Sequence, residues 1–280
     1  VLFISSYSYG WDTVQTQIEG IKAGVDENTT IDYEFMDTKR FRTEEWLGMF
    51  YDMLKYHLEN TDPYDVVIVG DDAALQFAME YREDLFENIP IVFEGVNDEE
   101  YAMKAAENPF VTGIVEKLSV EKNIDMALKV NPTAAKVAAI LDDSVTGEAE
   151  RKNFYSAEDE YPNLEFSEIN ASELSTARLQ QAISKVDDNT ILIYIVMSQD
   201  GSGKQYTSAQ AVRMIVNYAK VPVYRMVEAG IGEGLLGGNV VSMYKSGEIA
   251  AHIAMDIMNG TDSSEINVVR DSPNIYCVDE

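Results

Sequence analysis

Six short apolar runs, each breaking off into small, acidic or amide-bearing residues just ahead of a helical pattern, constrain this chain more than any other feature. The first three are Val1 to Ile4 before Ser5-Ser6-Tyr7, Val66 to Val69 before Gly70-Asp71-Asp72, and Ile91 to Phe93 before Glu94-Gly95. The others are Val137 to Leu141 before Asp142-Asp143-Ser144, Ile191 to Met197 before Ser198-Gln199-Asp200, and Val221 to Val227 before Glu228-Ala229-Gly230. A strand is apolar at every position, rather than at alternate ones, when helices cover both faces of a parallel sheet. Ligands bind such sheets beyond the carboxyl ends of the strands, where the loops supply polar groups. The polar endings therefore mark where a ligand belongs, and two sets of them, one per half of the chain, predict two facing mouths.

Amphipathic patterns fill the gaps. Val14, Ile18, Ile21 and Val25 share one helical face and follow Asp12-Thr13, read as the cap. Thr43 is read as the N-cap of a helix running to about Leu58, with Glu44 and Glu45 placed to favour its dipole. Asp72 precedes a helical pattern from Ala73 to Tyr81, and Ser119 precedes one from Val120 to Val130 that Asn131-Pro132 ends. This alternation predicts an α/β fold of right-handed βαβ units and doubly wound parallel sheets. A length of 280 residues suits two such lobes, since single cores rarely grow past this size. Val111 to Glu116 reads as a crossing strand. Glycine-rich Gly230 to Asn239 leads to a strand at Val240 to Ser242 and a helix from Ser246 to Met258, which carries the chain back to the first lobe. The tail from Ile266 to Val278 reads as extended, with Pro273 at a turn or edge. The expected division is 1–114 with 236–263 for lobe 1 and 115–235 with 264–280 for lobe 2, joined by a multi-strand hinge.

Composition removes several function classes. With 49 acidic against 21 basic residues the formal charge is −28, which repels a phosphate backbone and an anionic lipid surface alike. Nucleic acid is excluded as a partner. The single cysteine, Cys277, permits neither an internal disulfide nor a cysteine-based metal site. No apolar run approaches the ~20 residues that span a bilayer. Val1 already lies within a strand pattern, so an upstream signal peptide or anchor is expected to have been removed.

Catalytic and cofactor motifs fail on their context. Gly232 to Gly237 matches a dinucleotide fingerprint, yet the chain continues into a strand where that fingerprint requires a helix. Gly203-Lys204 lacks the flanking residues of a phosphate loop. His57 and His252 sit in helical patterns without a ligand partner at helical spacing, and no nucleophile elbow is present. No metal, cofactor or enzymatic activity is expected. What remains is the strand tips. Ser6, Tyr7, Tyr9 and Trp11 crowd the first loop, where a turn alone favours Gly, Asn or Asp over rings, and they read as a binding wall or a lid on the core. Asp72 reads equally as a helix cap or a ligand contact. Ser198, Gln199 and Asp200, ending a long apolar strand ahead of Gly201-Ser202-Gly203, read as a ligand contact, and Asp200→Ala is expected to weaken binding without unfolding the protein.

The segments Val1 to Tyr7 with Trp11, Val111 to Glu116, Asp142 to Gly147, Pro222 to Tyr224, Gly232 to Gly238, Ser246 to Ala251 and Ile257 to Gly260, taken in order, resemble the type I periplasmic binding protein superfamily. Within it the chain is similar to the ABC-transporter-like solute-binding family whose members also serve as sensor domains. The ending Ser272 to Tyr276 with Asp279 looks like the extracellular sensor domains of histidine kinases or cyclic-dinucleotide enzymes. The resemblance implies a two-lobed clamp with an interlobe cleft, closing about a hinge on its ligand. It matches Ser6, Tyr7, Trp11, Asp72, Asn97, Asp143, Ser144, Asp200 and Glu228 to cleft-facing loops, and the strand tips add Asp71, Glu94, Gly95, Ser198 and Gln199 as expected ligand contacts. The acidic Asp72, Asp143, Asp200 and Glu228 suggest a small polar solute bearing an amine, amino-acid-like or an aromatic amine. The expected role is the extracellular or periplasmic sensor domain of a membrane-anchored signalling protein, with the substrate-binding protein of an ABC importer, serving a permease, as the alternative. Shut-state contacts worth about 1.4 kcal/mol shift an open and shut equilibrium tenfold.

Overall fold

Strands buried on both faces, with the half-exposed Asp32–Phe35 at one edge, build the first sheet. They are β1 (Leu2–Ser5), β2 (Asp32–Phe35), β3 (Val67–Gly70), β4 (Ile91–Val96) and β5 (Val111–Val115), all parallel, in the order β2-β1-β3-β4-β5. The computed structural model describes residues 1–41 and 43–279, without the side chains of Asp12 and Val145. Between the strands run α1 (Asp12–Gly24), α2 (Glu44–Asn60), α3 (Asp71–Glu80), α4 (Arg82–Leu85) and α5 (Glu99–Ala105). The second stretch carries α6 (Val120–Val130), β6 (Lys136–Leu141), α7 (Val145–Ser156), β7 (Glu165–Asn170), α8 (Thr176–Ser184), β8 (Thr190–Tyr194), α9 (Ser208–Tyr218), β9 (Val223–Arg225) and β10 (Gly237–Val240), followed by α10 (Met243–Met258) and β11 (Ile275–Val278). Two units result, Val1–Lys117 with Ser242–Pro273 and Leu118–Val241 with Asn274–Glu280.

In the first unit alternate side chains of each strand feed two cores. Leu2, Ile4, Val67 and Val69 pack with Phe50, Leu54, Leu75 and Phe77 of α2 and α3. Phe3, Val66 and Ile68 pack with Val14, Ile18 and Ile21 of α1 and with Ala250, Ala251 and Ile253 of α10. Each fully buried side chain of this size contributes about 1.5–3 kcal/mol. Helix α10 reaches α1 closely enough that a Cβ on Gly20 would lie 2.0 Å from the carbonyl oxygen of Tyr244. Glycine is the residue that permits such contact. In the second unit the order is β11-β10-β9-β8-β6-β7, parallel except for β11, which runs antiparallel to β10. Helices α8 and α9 cover one face, and α6 and α7 the other.

The two doubly wound parallel sheets are present as expected, and the second carries one antiparallel strand, β11, at its edge. Several expectations need correction. Val111–Val115 is no crossing strand; it is the edge strand of the first sheet, paired with β4. Gly237 to Val240 belongs to the second sheet, because β10 pairs with β9 and β11, and the boundary falls at 242 rather than 236. Residues 264–273 stay with the first unit, where Val269 donates to Gly113 and Thr112 donates to Ile266. The run Ile191 to Met197 ends as strand at Tyr194. Helix α1 takes Trp11 as N-cap without a side-chain bond, one residue ahead of Asp12-Thr13, and the Asp12 side chain lies outside the described residues. Thr43, by contrast, does cap α2, accepting from the amide of Trp46.

Candidate functional site

Each parallel sheet reverses its winding once, and ligands favour the crevice at such a switch point. In the first unit this falls between β1 and β3, whose neighbours β2 and β4 lead outward in opposite directions. In the second it falls between β6 and β8. The polar endings of β1, β3, β6 and β8 flank these points, and those of β4 and β9 lie one strand outward.

At the β1 tip, Ser6 is fully buried. Its hydroxyl donates to the Gly70 carbonyl at 2.8 Å and accepts from the Ala74 amide at 2.8 Å. Its own carbonyl accepts from Thr38 Oγ1 at 2.7 Å. Ser6 thus ties β1 to β3 and to the first turn of α3, with little capacity left for a solute. Tyr7 and Trp11 behave otherwise. Their ring centroids lie 6.4 Å apart at a 54° tilt, and Trp11 is 45% exposed. The Lys39 ammonium lies 4.3 Å from the Tyr7 ring centroid and 5.7 Å from that of Trp11, within cation–π range. The exposure of Trp11 supports the wall reading for that ring, whereas Tyr7 is half-buried and packs on the core beneath it.

Asp71 opens α3 in a left-handed backbone conformation, φ 70°, that is uncommon outside glycine. Such strain collects where function over-determines geometry. Its carboxylate is buried and accepts from Gln17 Nε2 at 3.2 Å. Burial pushes its pKa up to about 7, the Gln17 hydrogen bond opposes this, the neighbouring Asp72 adds to it, and Lys39 and Tyr7 oppose it further. Glu94, at the end of β4, is fully buried and is pushed up to about 8, first by burial and then by the charge of Asp71. Ser246 of α10 and Gln17 of α1 lie near enough to favour its ionised form, but neither meets hydrogen-bond geometry. Gly95 turns with φ 66°, and a Cβ there would stand 3.1 Å from Gln17 Nε2. Asp72 neither caps its own helix nor stands open. Its Oδ1 accepts the amides of Asn97 at 3.2 Å and Asp98 at 3.0 Å, holding the β4–α5 turn. Asn97 itself is exposed, with its amide on the Gly95 carbonyl at 3.3 Å.

The second unit's tips are employed differently. Asp142 accepts four hydrogen bonds, from the amide and hydroxyl of Ser144 and of Ser198. Burial works against its ionised form, yet these bonds outweigh it and hold the pKa below the usual range. Asp142 therefore ties the β6 tip to the segment after β8. Ser144, rather than either aspartate, caps α7. Asp143 takes Arg151 Nη2 at 2.8 Å and Asn170 Nδ2 at 2.9 Å. Asp200, 2% exposed, accepts from the amides of Ser202 at 2.9 Å and Lys204 at 3.2 Å, from Tyr206 at 2.8 Å, and from the hydroxyls of Thr176 and Ser202. Five donors on one carboxylate overcome burial and hold its pKa well below the usual range. This is the anchor of the 198–206 loop, whose Gln199 bridges to Gln205. Glu228 is half-buried, which pushes its pKa up.

Sequence reasoning missed Gln17, Lys39, Ser246 and Arg225. Gln17 carried a signal, being a polar residue on the buried face marked by Val14, Ile18 and Ile21. Lys39, in the loop after β2, carried none. Arg225 ends β9 buried, donating to the carbonyls of Tyr194, Ile195 and Ala229 with its guanidinium 4.2 Å from the Tyr194 ring centroid. Among the described residues no cluster of three or more His, Cys, Asp or Glu side chains could hold a metal, and no helix is long and apolar enough to cross a membrane.

A protein from Clostridioides difficile (strain R20291) named tyrosine-binding protein is 24% identical over 213 residues, covering 74% of this chain and 59% of its own length. The chain thus spans less than two thirds of that relative. The ligand-free, open structure of a substrate binding protein with adhesive properties from Clostridium difficile superposes with a TM-score of 0.73 at 17% identity, over 100% of this chain and 92% of the other. An ABC domain from Streptococcus pneumonia in complex with L-Trp gives 0.62 at 15%, over 98% and 89%. An arabinose binding protein from Geobacillus stearothermophilus gives 0.63 at 12%, over 99% and 96%. At these identities the structures share the fold, that of type I periplasmic binding proteins, and nothing more is transferred. Residues 11–278 match the family described as ABC transporter substrate binding protein, and the chain belongs to that family.

Proposed function

We propose that this chain is the solute receptor of an ABC importer and that its solute is an aromatic L-amino acid. Proteins of the family bind solutes outside the cytoplasm and are not enzymes. The observation that carries the choice of solute is the pair of rings, half-buried Tyr7 and exposed Trp11, beside Lys39 and the strained Asp71, at the switch point of the first sheet. An aromatic side chain stacks on the rings, the ammonium meets Asp71, and the carboxylate meets Lys39. Base for this chemistry comes also from the relatives, one named for tyrosine and one holding L-Trp.

Titration calorimetry with L-tyrosine and L-tryptophan, beside tyramine and 3-(4-hydroxyphenyl)propionate, tests it. The amino acids bind, and each analogue lacking one charged group binds weaker by about tenfold or more, the loss expected for a charge-assisted hydrogen bond. Failure of both amino acids to bind, or equal binding of the analogues, overturns the solute assignment. The ending Ser272 to Tyr276 with Asp279 favours a second output, a signalling module, through the same solute step. Cells lacking this chain separate the two: lost L-tyrosine uptake supports the importer, and unaltered uptake with lost transcriptional response supports the sensor.

A further inference from the structure

Asp71 directly follows Gly70, the last residue of β3, and Gly70 pairs with Glu94 of the adjacent strand β4. Around them the buried oxygen atoms outnumber the hydrogens offered to them. Both Glu94 oxygens, Gln17 Oε1 and Ser246 Oγ are buried and have no hydrogen-bond partner among the described residues. A buried polar atom left so costs about 1–3 kcal/mol, and a buried carboxylate far more. The groups acting on the pair are Gln17 from α1, Ser246 from α10, Tyr7 from the first loop, Lys39 from the loop after β2 and Asp72 from α3. Lys39 is the one cation among them, and its effect falls on Asp71. Nothing positively charged in this set serves Glu94.

We propose that Glu94 is a positioning residue that holds a proton in the native protein and, by adding that O–H to the oxygen-rich nest of Gln17 and Ser246, leaves Asp71 as the negatively charged acceptor at the β3 tip. The inference rests on the proposed solute only in taking the Asp71 charge as the seat of the ammonium. Two like charges on neighbouring buried acids disfavour one another, so one proton between them is the stable arrangement. Lys39, Gln17 and Tyr7 all favour the charge on Asp71. A solute ammonium that binds at acidic pH displaces the Asp71 proton to solvent, so affinity rises with pH through about 7.

The test compares the whole chain with Glu94→Gln and Glu94→Leu. A raised carboxyl pKa gives stability that is present below the unfolded value and lost as pH rises through the folded one. Glutamine keeps a donor and cannot ionise. The melting temperature of Glu94→Gln therefore gains on the native protein between about pH 5 and about pH 9. At neutral pH Glu94→Gln binds L-tyrosine about tenfold more tightly than Glu94→Leu, which has the same charge but no donor. A melting-temperature gap that is independent of pH, or equal affinities of the two variants, overturns the proposal. Should the native protein bind neither L-tyrosine nor L-tryptophan while the gap still opens with pH, the proton on Glu94 is supported and the solute reading fails by itself.

Discussion

Replacing Asp200 by alanine separates a ligand contact from a loop anchor. Its carboxylate gathers five donors, and Tyr206, 9% exposed, and Thr176 compete for no other acceptor in reach that the fold provides them but each other, 3.2 Å apart. Ser202 is exposed and turns to water at little cost. The amide of Lys204, the buried Tyr206 hydroxyl and the half-buried Thr176 hydroxyl are left in want of an acceptor. Hydrogen bonds to a charged group contribute about 1.5–3 kcal/mol each and do not add fully, so the loss comes to about 3–5 kcal/mol. For a chain of this size that lowers the melting temperature by about 6–15 °C. Far-ultraviolet circular dichroism on heating reads this directly. Below the new melting point, calorimetry with L-tyrosine reads the affinity, which stays within about twofold of the native value, a change of ~0.4 kcal/mol. Because the folded pKa is depressed, the stability from Asp200 is present above the unfolded value near 3.8 and is lost as pH falls below it. The gap between variant and native protein therefore narrows in acid. An unchanged melting temperature with lost affinity would refute this reasoning and return Asp200 to the role its sequence position suggested.

Trp11→Ala removes one of two stacking rings and weakens L-tyrosine binding by about tenfold, in line with the 0.5–1.5 kcal/mol of an aromatic pair plus the area it buries, while the melting temperature holds. Gly20→Val drives a side chain into the Tyr244 carbonyl, 2.0 Å from the ideal Cβ, and lowers stability by about 3 kcal/mol or more as α10 is pushed from α1. Asp142→Asn loses acceptor capacity for Ser144 and Ser198, lowering stability by about 2–4 kcal/mol at neutral pH and by less in acid, where the native carboxylate too takes up a proton.

The alternation of strands and helices was legible because strands covered on both faces leave an unbroken apolar trace, as in Val66 to Val69 or Val137 to Leu141. The edge strands β2 and β7 were not. β2 reads Asp32-Tyr33-Glu34-Phe35 and β7 reads Glu165 to Asn170, half exposed and as polar as a loop, so only their parallel pairing to β1 and β6 makes them strands. β10 hid likewise behind Gly237 and Gly238, whose glycine-rich context read as a bend. At the tips, residue types were readable and their employment was not. Asp142 is engaged by Ser198, 56 positions away, and Asp71 by Gln17, 54 positions away, and no local pattern encodes such pairs. Lys39 gave no signal, since a lone lysine in a loop is ordinary until a ring is found under it.

The number of acids at a strand tip is therefore a poor guide to the charge a ligand must carry; the capacity those acids have left is the better one. In the second unit Asp142, Asp143 and Asp200 are each spent on named donors from their own and neighbouring segments. An ammonium arriving there would have to displace charge-assisted hydrogen bonds as good as those it offers. In the first unit Asp71 draws on Gln17, at the long distance of 3.2 Å, on Tyr7 and on the charge of Lys39, yet burial still pushes it towards neutrality, beside rings already disposed to a cation. A cation gains most where the resident carboxylate is least satisfied, because the desolvation of that carboxylate has already been met by folding. By this criterion the proposed recognition of an amine belongs to the β1 and β3 tips, while Asp142, Asp143 and Asp200 hold their own segments in place.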